Sequence, residues 1–294
     1  MRARQAGVGT LRPAMTARTL STPDGDLPVL HDMGGDGPPI ILTHGNGLNA
    51  GMWATVVPHL RDGLHCFGLD FRGHGGSRPP SDDFPVERSR LAHDILAAVD
   101  AVGGGPVVAA GHSLGGATLL LTEMWYPGTF SALWVFEPVL IPETFERPPE
   151  DMALAVMARK RRMEFGSVDE VMERFTSKPP FAGCEPEAVR GYVETGTYEL
   201  PGGGVRLSCS GETEARIYGG ATTDFDLLKA VDCPVVVAYG GTIAGDNDMP
   251  PTLAPAIADA LGDARLERFD GLTHFGPMED GAAIAASIAA HVLA

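Results

Sequence analysis

Positive charge is scarce in this chain. Lys and Arg number 22 against 38 Asp and Glu, a formal net charge of −16. Such a surface repels polyanions, which argues against nucleic-acid and anionic-membrane partners. Cysteine is scarce as well. Cys66, Cys184, Cys209 and Cys233 are scattered with no C-x-x-C pair. That excludes a disulfide framework and fits inert core thiols in a reducing compartment, so a cytoplasmic location is the expectation. No apolar run is long enough to span a bilayer. Residues 1–18 carry Arg2, Arg4, Arg12 and Arg18 but no apolar stretch of the signal-peptide kind. They read as a disordered tail, and Met1 and Met15 both remain open as the start. No internal repeat is visible.

What is present is 294 residues with 44% hydrophobic content, enough for a sizeable core. One α/β domain carrying an insertion is the expectation. Thr19–Asp32 turns at Asp24-Gly25 and reads as an opening hairpin. Strands are predicted at Pro39–Thr43, His65–Asp70, Val107–Ala110, Ala132–Phe136, Pro234–Tyr239 and Arg265–Phe269. Helices are predicted at Met52–Leu60, Val86–Val102, Gly116–Tyr126, Leu253–Leu261 and 281–293. Strands alternating with helices imply a mostly parallel sheet covered on both faces. Residues 139–222 break the rhythm. They hold helical stretches at Met152–Met163, Val168–Phe175 and Pro186–Thr195, and a hairpin at Tyr198–Cys209 turning at Gly202–Gly204.

Residues Gly111–Gly115 read G-H-S-L-G, between an apolar strand and an apolar helix. A Ser between glycines at such a junction is a nucleophile elbow. The turn is tight enough that positions two before and two after the Ser tolerate little side chain. The helix that follows points its N-terminus at the reacting oxygen.

Four motifs in order give the chain a family likeness: H-G-N-G at His44–Gly47, D-F-R-G-H-G-G-S at Asp70–Ser77, G-H-S-L-G-G at Gly111–Gly116 and G-L-T-H-F at Gly271–Phe275. Over residues 19–294 it resembles the α/β-hydrolase superfamily. The resemblance implies a core of residues 19–138 and 223–294. A mainly helical cap, residues 139–222, would be inserted after the strand that follows the nucleophile. It implies Ser113 as nucleophile and His274 as base, and an oxyanion hole from the backbone N–H groups of Asn46 and Leu114. His112 is then the elbow spacer, and His44 and His74 are structural, as are Asp70 and Arg72. Haloalkane dehalogenases carry H-G-N-P where this chain has Gly47, and they need an Asp nucleophile. That chemistry and epoxide hydrolysis are disfavoured here.

The acid has more than one candidate. The usual G-x-x-D after the strand ending at Tyr239 fails, because Ile243 stands three after Gly240. The lengthened loop offers Asp246, with Asp248 beside it. The rival is Glu137, at the end of the strand after the elbow, where zearalenone-lactonase-like members place their acid. Glu137 is put first and Asp246 second.

No metal or organic cofactor is implied. In the cap, Met and Phe recur at helical spacing, most of them as the cap's own core. Trp53, Met157, Phe175 and Phe181 are the candidates for an apolar substrate pocket. The basic run Arg159–Arg162 reads as a solvated helix face. A serine hydrolase of small, largely apolar carboxylic esters or lactones, working through an acyl-enzyme, is the leading expectation. Alternatives are C–C bond hydrolysis of a diketone-type substrate, cofactor-free haloperoxidase-like activity, and a ligand receptor that retains the fold. Oligomeric state is not legible.

Overall fold

A computed structural model describes residues 16–78, 81, 83–143, 153–220, 222–243 and 249–294. The chain opens on an antiparallel hairpin, β1 (Thr16–Thr22) and β2 (Gly25–Gly34). Thr16, Ala17 and Arg18 pair with Asp32, His31 and Leu30, so these three belong to the sheet and not to the tail expected over residues 1–18. Their ladder partners come from β2, a non-local contact that composition does not reveal. Residues 1–15 lie outside the described residues.

There follow β3 (Pro39–Thr43), a 3-10 turn over Ala50–Trp53, α1 (Val57–Leu60) and β4 (His65–Asp70). The single helix predicted over Met52–Leu60 is thus split. Pro58 has no N–H to continue it and sits in the first turn of α1. Next come α2 (Arg88–Ala101), β5 (Val107–His112), α3 (Leu114–Trp125) and β6 (Phe130–Phe136).

Residues 139–222 hold β7 (Ile141–Pro142), α4 (Ala153–Arg159), β8 (Glu164–Phe165), α5 (Val168–Thr176), α6 (Pro186–Thr195), β9 (Thr197–Glu199), β10 (Val205–Leu207) and α7 (Gly211–Gly219). A two-residue strand, β11 (Thr222–Thr223), runs parallel to β7 where this segment leaves and re-enters. The chain ends with β12 (Val235–Gly240), α8 (Met249–Leu261), β13 (Arg265–Phe269), α9 (Gly276–Glu279) and α10 (Gly281–Val292).

Eight strands form one sheet in the order β1-β2-β4-β3-β5-β6-β12-β13, antiparallel over β1, β2 and β4 and parallel from there on. Alternate residues feed two cores, as a pleated strand requires. Ile41, Ala109, Leu133, Val135 and Val237 join α2, α3 and α8 on one face. Ile40, Leu42, Trp134, Phe136 and Val236 join α1 and α10 on the other. That second core continues into Phe165, Val171, Val189 and Tyr192, so residues 139–222 are fastened to the sheet by apolar contact. Among the described residues no helix is long and apolar enough to cross a membrane. The carboxyl ends of β3, β5, β6, β12 and β13 converge at one edge, the place where parallel sheets collect functional side chains.

Candidate active site

Ser113 joins β5 to α3 with φ 52 and ψ −113. Its N–H donates to Phe136 O (2.9 Å), and its carbonyl accepts from Ala117 N (2.9 Å). The turn closes only because its flanks lack side chains. A Cβ at Gly111 would lie 2.5 Å from Thr43 Oγ1, and one at Gly115 would lie 2.7 Å from Thr43 C. The neighbouring strand β3 therefore dictates glycine at both positions. Ser113 is 8% exposed.

Glu137 follows β6 directly, at φ 43. Among the described residues, Ser113 and Glu137 are the two non-glycine residues at positive φ. Such conformations cost about 1–3 kcal/mol each and persist where the surroundings over-determine them. Here the Glu137 N–H donates to Ala238 O (2.8 Å). Its side chain has no exposed surface. Gly240 N donates to Oε1 (2.8 Å), and His274 Nδ1 lies 2.6 Å from Oε2. That contact fixes the ring so that Nε2 carries the free lone pair. Asp246 and Asp248 lie outside the described residues.

His274 stands in the loop between β13 and α9, which is held at three points. Glu279 accepts from Thr273 N (2.7 Å) and from Thr273 Oγ1 (2.5 Å), and His112 Nε2 donates to His274 O (2.7 Å). No hydrogen bond joins the Ser113 hydroxyl to His274 among the described residues. Contacts of this kind commonly tighten only when substrate is bound.

Three other histidines surround the site as neutral pegs. His44 Nδ1 donates to Gly45 O and its Nε2 accepts from Phe71 N. His74 Nδ1 donates to Arg72 O and its Nε2 accepts from Gly47 N. Burial pushes His44 and His112 below the ordinary imidazole range, and burial beside His44 brings His74 down to about 3. Asp70 binds the backbone N–H groups of Ala50 and Gly76, and Arg72 pairs with Asp94 (2.6 Å). Burial pushes the thiols of Cys66, Cys184 and Cys233 up to about 12, which keeps them unreactive.

The N–H groups of Asn46 and Leu114 have no acceptor among the described residues. One lies in the turn after β3, the other at the first residue of α3. Hydrogen bonding is therefore left to offer there.

The four pocket candidates separate. Phe175 and Phe181 stack with ring centroids 5.1 Å apart, Tyr192 stacks on both, and Phe181 meets the edge of Phe275 at 5.2 Å. Phe275 is the residue after His274, so this aromatic group reaches the site. Trp53 does not: it is 0% exposed in the core beneath the turn. Met157 does not either. It is 67% exposed on α4, a helix that packs through its alanines Ala155 and Ala158 and turns this residue to solvent.

Sequence reasoning missed α7 and its Glu214. The signal was Ser210, an N-cap accepting from Thr213 N, with Glu212 and Glu214 in the first turn. It also put Arg161 on a solvated helix face. The helix ends at Arg159, and Arg161 turns inward to pair with Glu214 (2.9 Å). Tyr192 and Glu279 carried no local signal, since each acts on a residue far from its own element.

The model of the alpha/beta hydrolase family matches residues 40–287. The chain belongs to that family. Relatives of this hydrolase include the pimeloyl-[acyl-carrier protein] methyl ester esterase of Chromobacterium violaceum. That enzyme is 28% identical over 252 residues, covering 82% of this chain and 88% of the relative. Protein phosphatase methylesterase 1 of Mus musculus is 34% identical over 99 residues, which is 32% of this chain and only 25% of the mouse protein. Among solved structures, E-2-(acetamidomethylene)succinate hydrolase superposes with a TM-score of 0.80 at 20% identity, covering 95% of this chain and 100% of that one.

Proposed function

We propose that this hydrolase cleaves a carboxylic ester or lactone of a small, largely apolar substrate through an acyl-enzyme. The observation that carries the reading is the 2.6 Å contact of His274 Nδ1 with the buried Glu137 carboxylate, placed beside a serine held at φ 52. Ser113 Oγ attacks the carbonyl carbon as His274 Nε2 takes its proton. Glu137 stabilises the imidazolium that forms. The N–H groups of Asn46 and Leu114 hold the oxyanion, a contribution on the order of 10²- to 10³-fold per donor. The tetrahedral adduct collapses as His274 returns the proton to the leaving alcohol. Water activated by the same imidazole then releases the acid.

Residues 139–222 act as the cap in this reading, with Phe175 and Phe181 at the apolar side of the substrate. The ester direction is supported by the two methylesterase relatives. Asn46 Nδ2 donates one hydrogen to Glu214 O (2.9 Å), and the elbow carries Ser113 where dehalogenation requires an Asp nucleophile.

A fluorophosphonate probe tests the reading. Intact-protein mass spectrometry should show one adduct on the wild type and none on Ser113→Ala. A panel of p-nitrophenyl esters and lactones should be turned over by the wild type alone. A folded wild-type protein that takes no label would remove Ser113 as nucleophile.

A further inference from the structure

The turn that carries the Asn46 N–H is held from two sides. On the sheet side, Gly47 N donates to His74 Nε2 (3.1 Å) and Leu48 N to Gly45 O (3.0 Å). The other side belongs to residues 139–222. The Tyr192 hydroxyl on α6 donates to Gly47 O (3.0 Å), and Asn46 Nδ2 donates to Glu214 O on α7 (2.9 Å). Asn49 Nδ2 donates to Tyr192 O (2.9 Å), and Thr195 Oγ1 donates to Asn49 Oδ1 (2.7 Å).

Packing makes these bonds specific. α6 rests on the 3-10 turn Ala50–Trp53 through Gly191 and Gly51, and a Cβ on either would overlap the carbonyl of the other. Gly47 adopts φ 75, and a Cβ there would lie 2.9 Å from the Glu214 carboxyl carbon. Arg161 braces the group from behind. It pairs with Glu214 (2.9 Å), and its Nη2 donates to Cys209 O (2.9 Å).

We infer that the cap sets the oxyanion hole, with Tyr192 and Asn46's side-chain bond to α7 positioning the Asn46 N–H for catalysis. The two bonds bracket the donor. One fixes the side chain of Asn46 and the other fixes the carbonyl of the residue after it. Burial holds the Tyr192 hydroxyl protonated, with its pKa pushed up to about 12, so it remains a donor across the working pH range. A substrate that seats the cap completes the hole. One that props α6 away loosens it, so substrate choice is read in kcat as well as in KM. This inference rests on the hydrolase reading above, and Tyr192 is a positioning residue within it.

The test uses the full-length protein with Tyr192→Phe, which removes the bond to Gly47 O together with the hydroxyl's contact with Arg161, and Asn46→Ala, which removes the bond to Glu214 O; both keep every backbone N–H. Two readouts are paired. Hydrogen exchange, followed by mass spectrometry, reports the turn itself and needs no activity. The peptide spanning residues 44–50 should exchange about tenfold faster in both variants. Kinetics report the consequence. For one p-nitrophenyl ester, kcat should fall about tenfold with KM within about twofold. The affinity for phenylboronic acid, whose adduct with serine mimics the tetrahedral state, should fall by the same factor as kcat.

Unchanged exchange in folded variants overturns the inference, whatever the kinetics. Faster exchange with unchanged kcat overturns it too, as does a rise in KM alone, which would make Tyr192 a substrate contact. If Tyr192→Phe does not fold, Asn46→Ala carries both readouts. A wild type that takes no fluorophosphonate counts against the hydrolase reading, while the exchange result still judges the tie between cap and turn.

Discussion

Ser113 and Glu137 stand on adjacent strands, one residue past the regular ladder in each case, and both take a backbone conformation that L side chains avoid. In each, the twist lifts a side chain off the strand end. The hydrogen bond from Ser113 N to Phe136 O ties the two departures together. Glu137→Gln keeps the shape and the Gly240 bond but loses the charge that would stabilise a His274 imidazolium. Turnover should then fall by on the order of 10²- to 10⁴-fold with folding retained. Asp246→Asn should stay within about twofold of the wild type. A p-nitrophenyl ester assay of both variants decides, and the opposite ranking would move the acid to the β12 loop. The serine and histidine were legible because each lies in a short local motif. Glu137 was legible less directly, from its place at the end of the strand after the elbow and from an Asp missing at position 243. Its partner is 137 residues away, and only the folded sheet brings the two within 2.6 Å.

Elements were legible wherever the apolar pattern had a clear period. Strands β3, β4, β5, β6 and β12 and helices α2 and α3 emerge within a few residues of their predicted bounds, because each buries a full face or stripe, and the half-exposed edge strand β13 emerges at its predicted bounds as well. Short polar elements failed. α7 has the sequence G-E-T-E-A-R-I-Y-G, and its stability comes from the Ser210 cap and from packing of Ala215 on α4, neither visible as periodicity. The Met and Phe of residues 139–222 showed the reverse difficulty. Their spacing said helix, but not which side faced inward. The stack of Phe175, Phe181 and Tyr192 against Phe275 now separates the candidates. Phe181→Ala should change the ratio of kcat/KM between a short-chain and a long-chain p-nitrophenyl ester by about tenfold, since aromatic surface near the acyl group is lost. Met157→Ala, on a side chain 67% exposed, should leave that ratio unaltered. Equal ratios in the two variants would detach the aromatic stack from substrate choice.

At the scale of the whole molecule, several parts of the core meet at one buried carboxylate. Asp70 ends β4, accepts from Ala50 N and Gly76 N (2.7 Å each), and binds His31 Nε2 of β2 (2.7 Å). It thereby links the hairpin, the sheet, the turn under α6 and the loop at residues 73–77. Desolvation alone would raise the Asp70 pKa, but the His31 contact and the Ala50 N–H outweigh it and hold the carboxyl below its usual range. Desolvation alone would lower His31, but the Asp70 bond outweighs that and holds the imidazole above its usual range. The signs set a window. A raised histidine contributes stability that is full below its unfolded pKa of about 6.5 and is lost as pH rises through the folded value. A depressed aspartate contributes stability that is full above its unfolded pKa of about 3.9 and is lost as pH falls through the folded value. The pair should therefore stabilise most between about pH 4 and 6.5. Wild type and His31→Gln share every other titratable group, so the background of a chain at −16 cancels in their difference. A charge-assisted bond of this type is worth about 2 kcal/mol net. The gap in Tm should be about 4 °C near pH 5.5 and shrink steadily toward pH 9. It should also narrow on the acid side as Asp70 protonates. Thermal unfolding of both proteins from pH 3.5 to 9 measures the gap, and a gap that stays constant across that range would show that His31 contributes shape rather than charge.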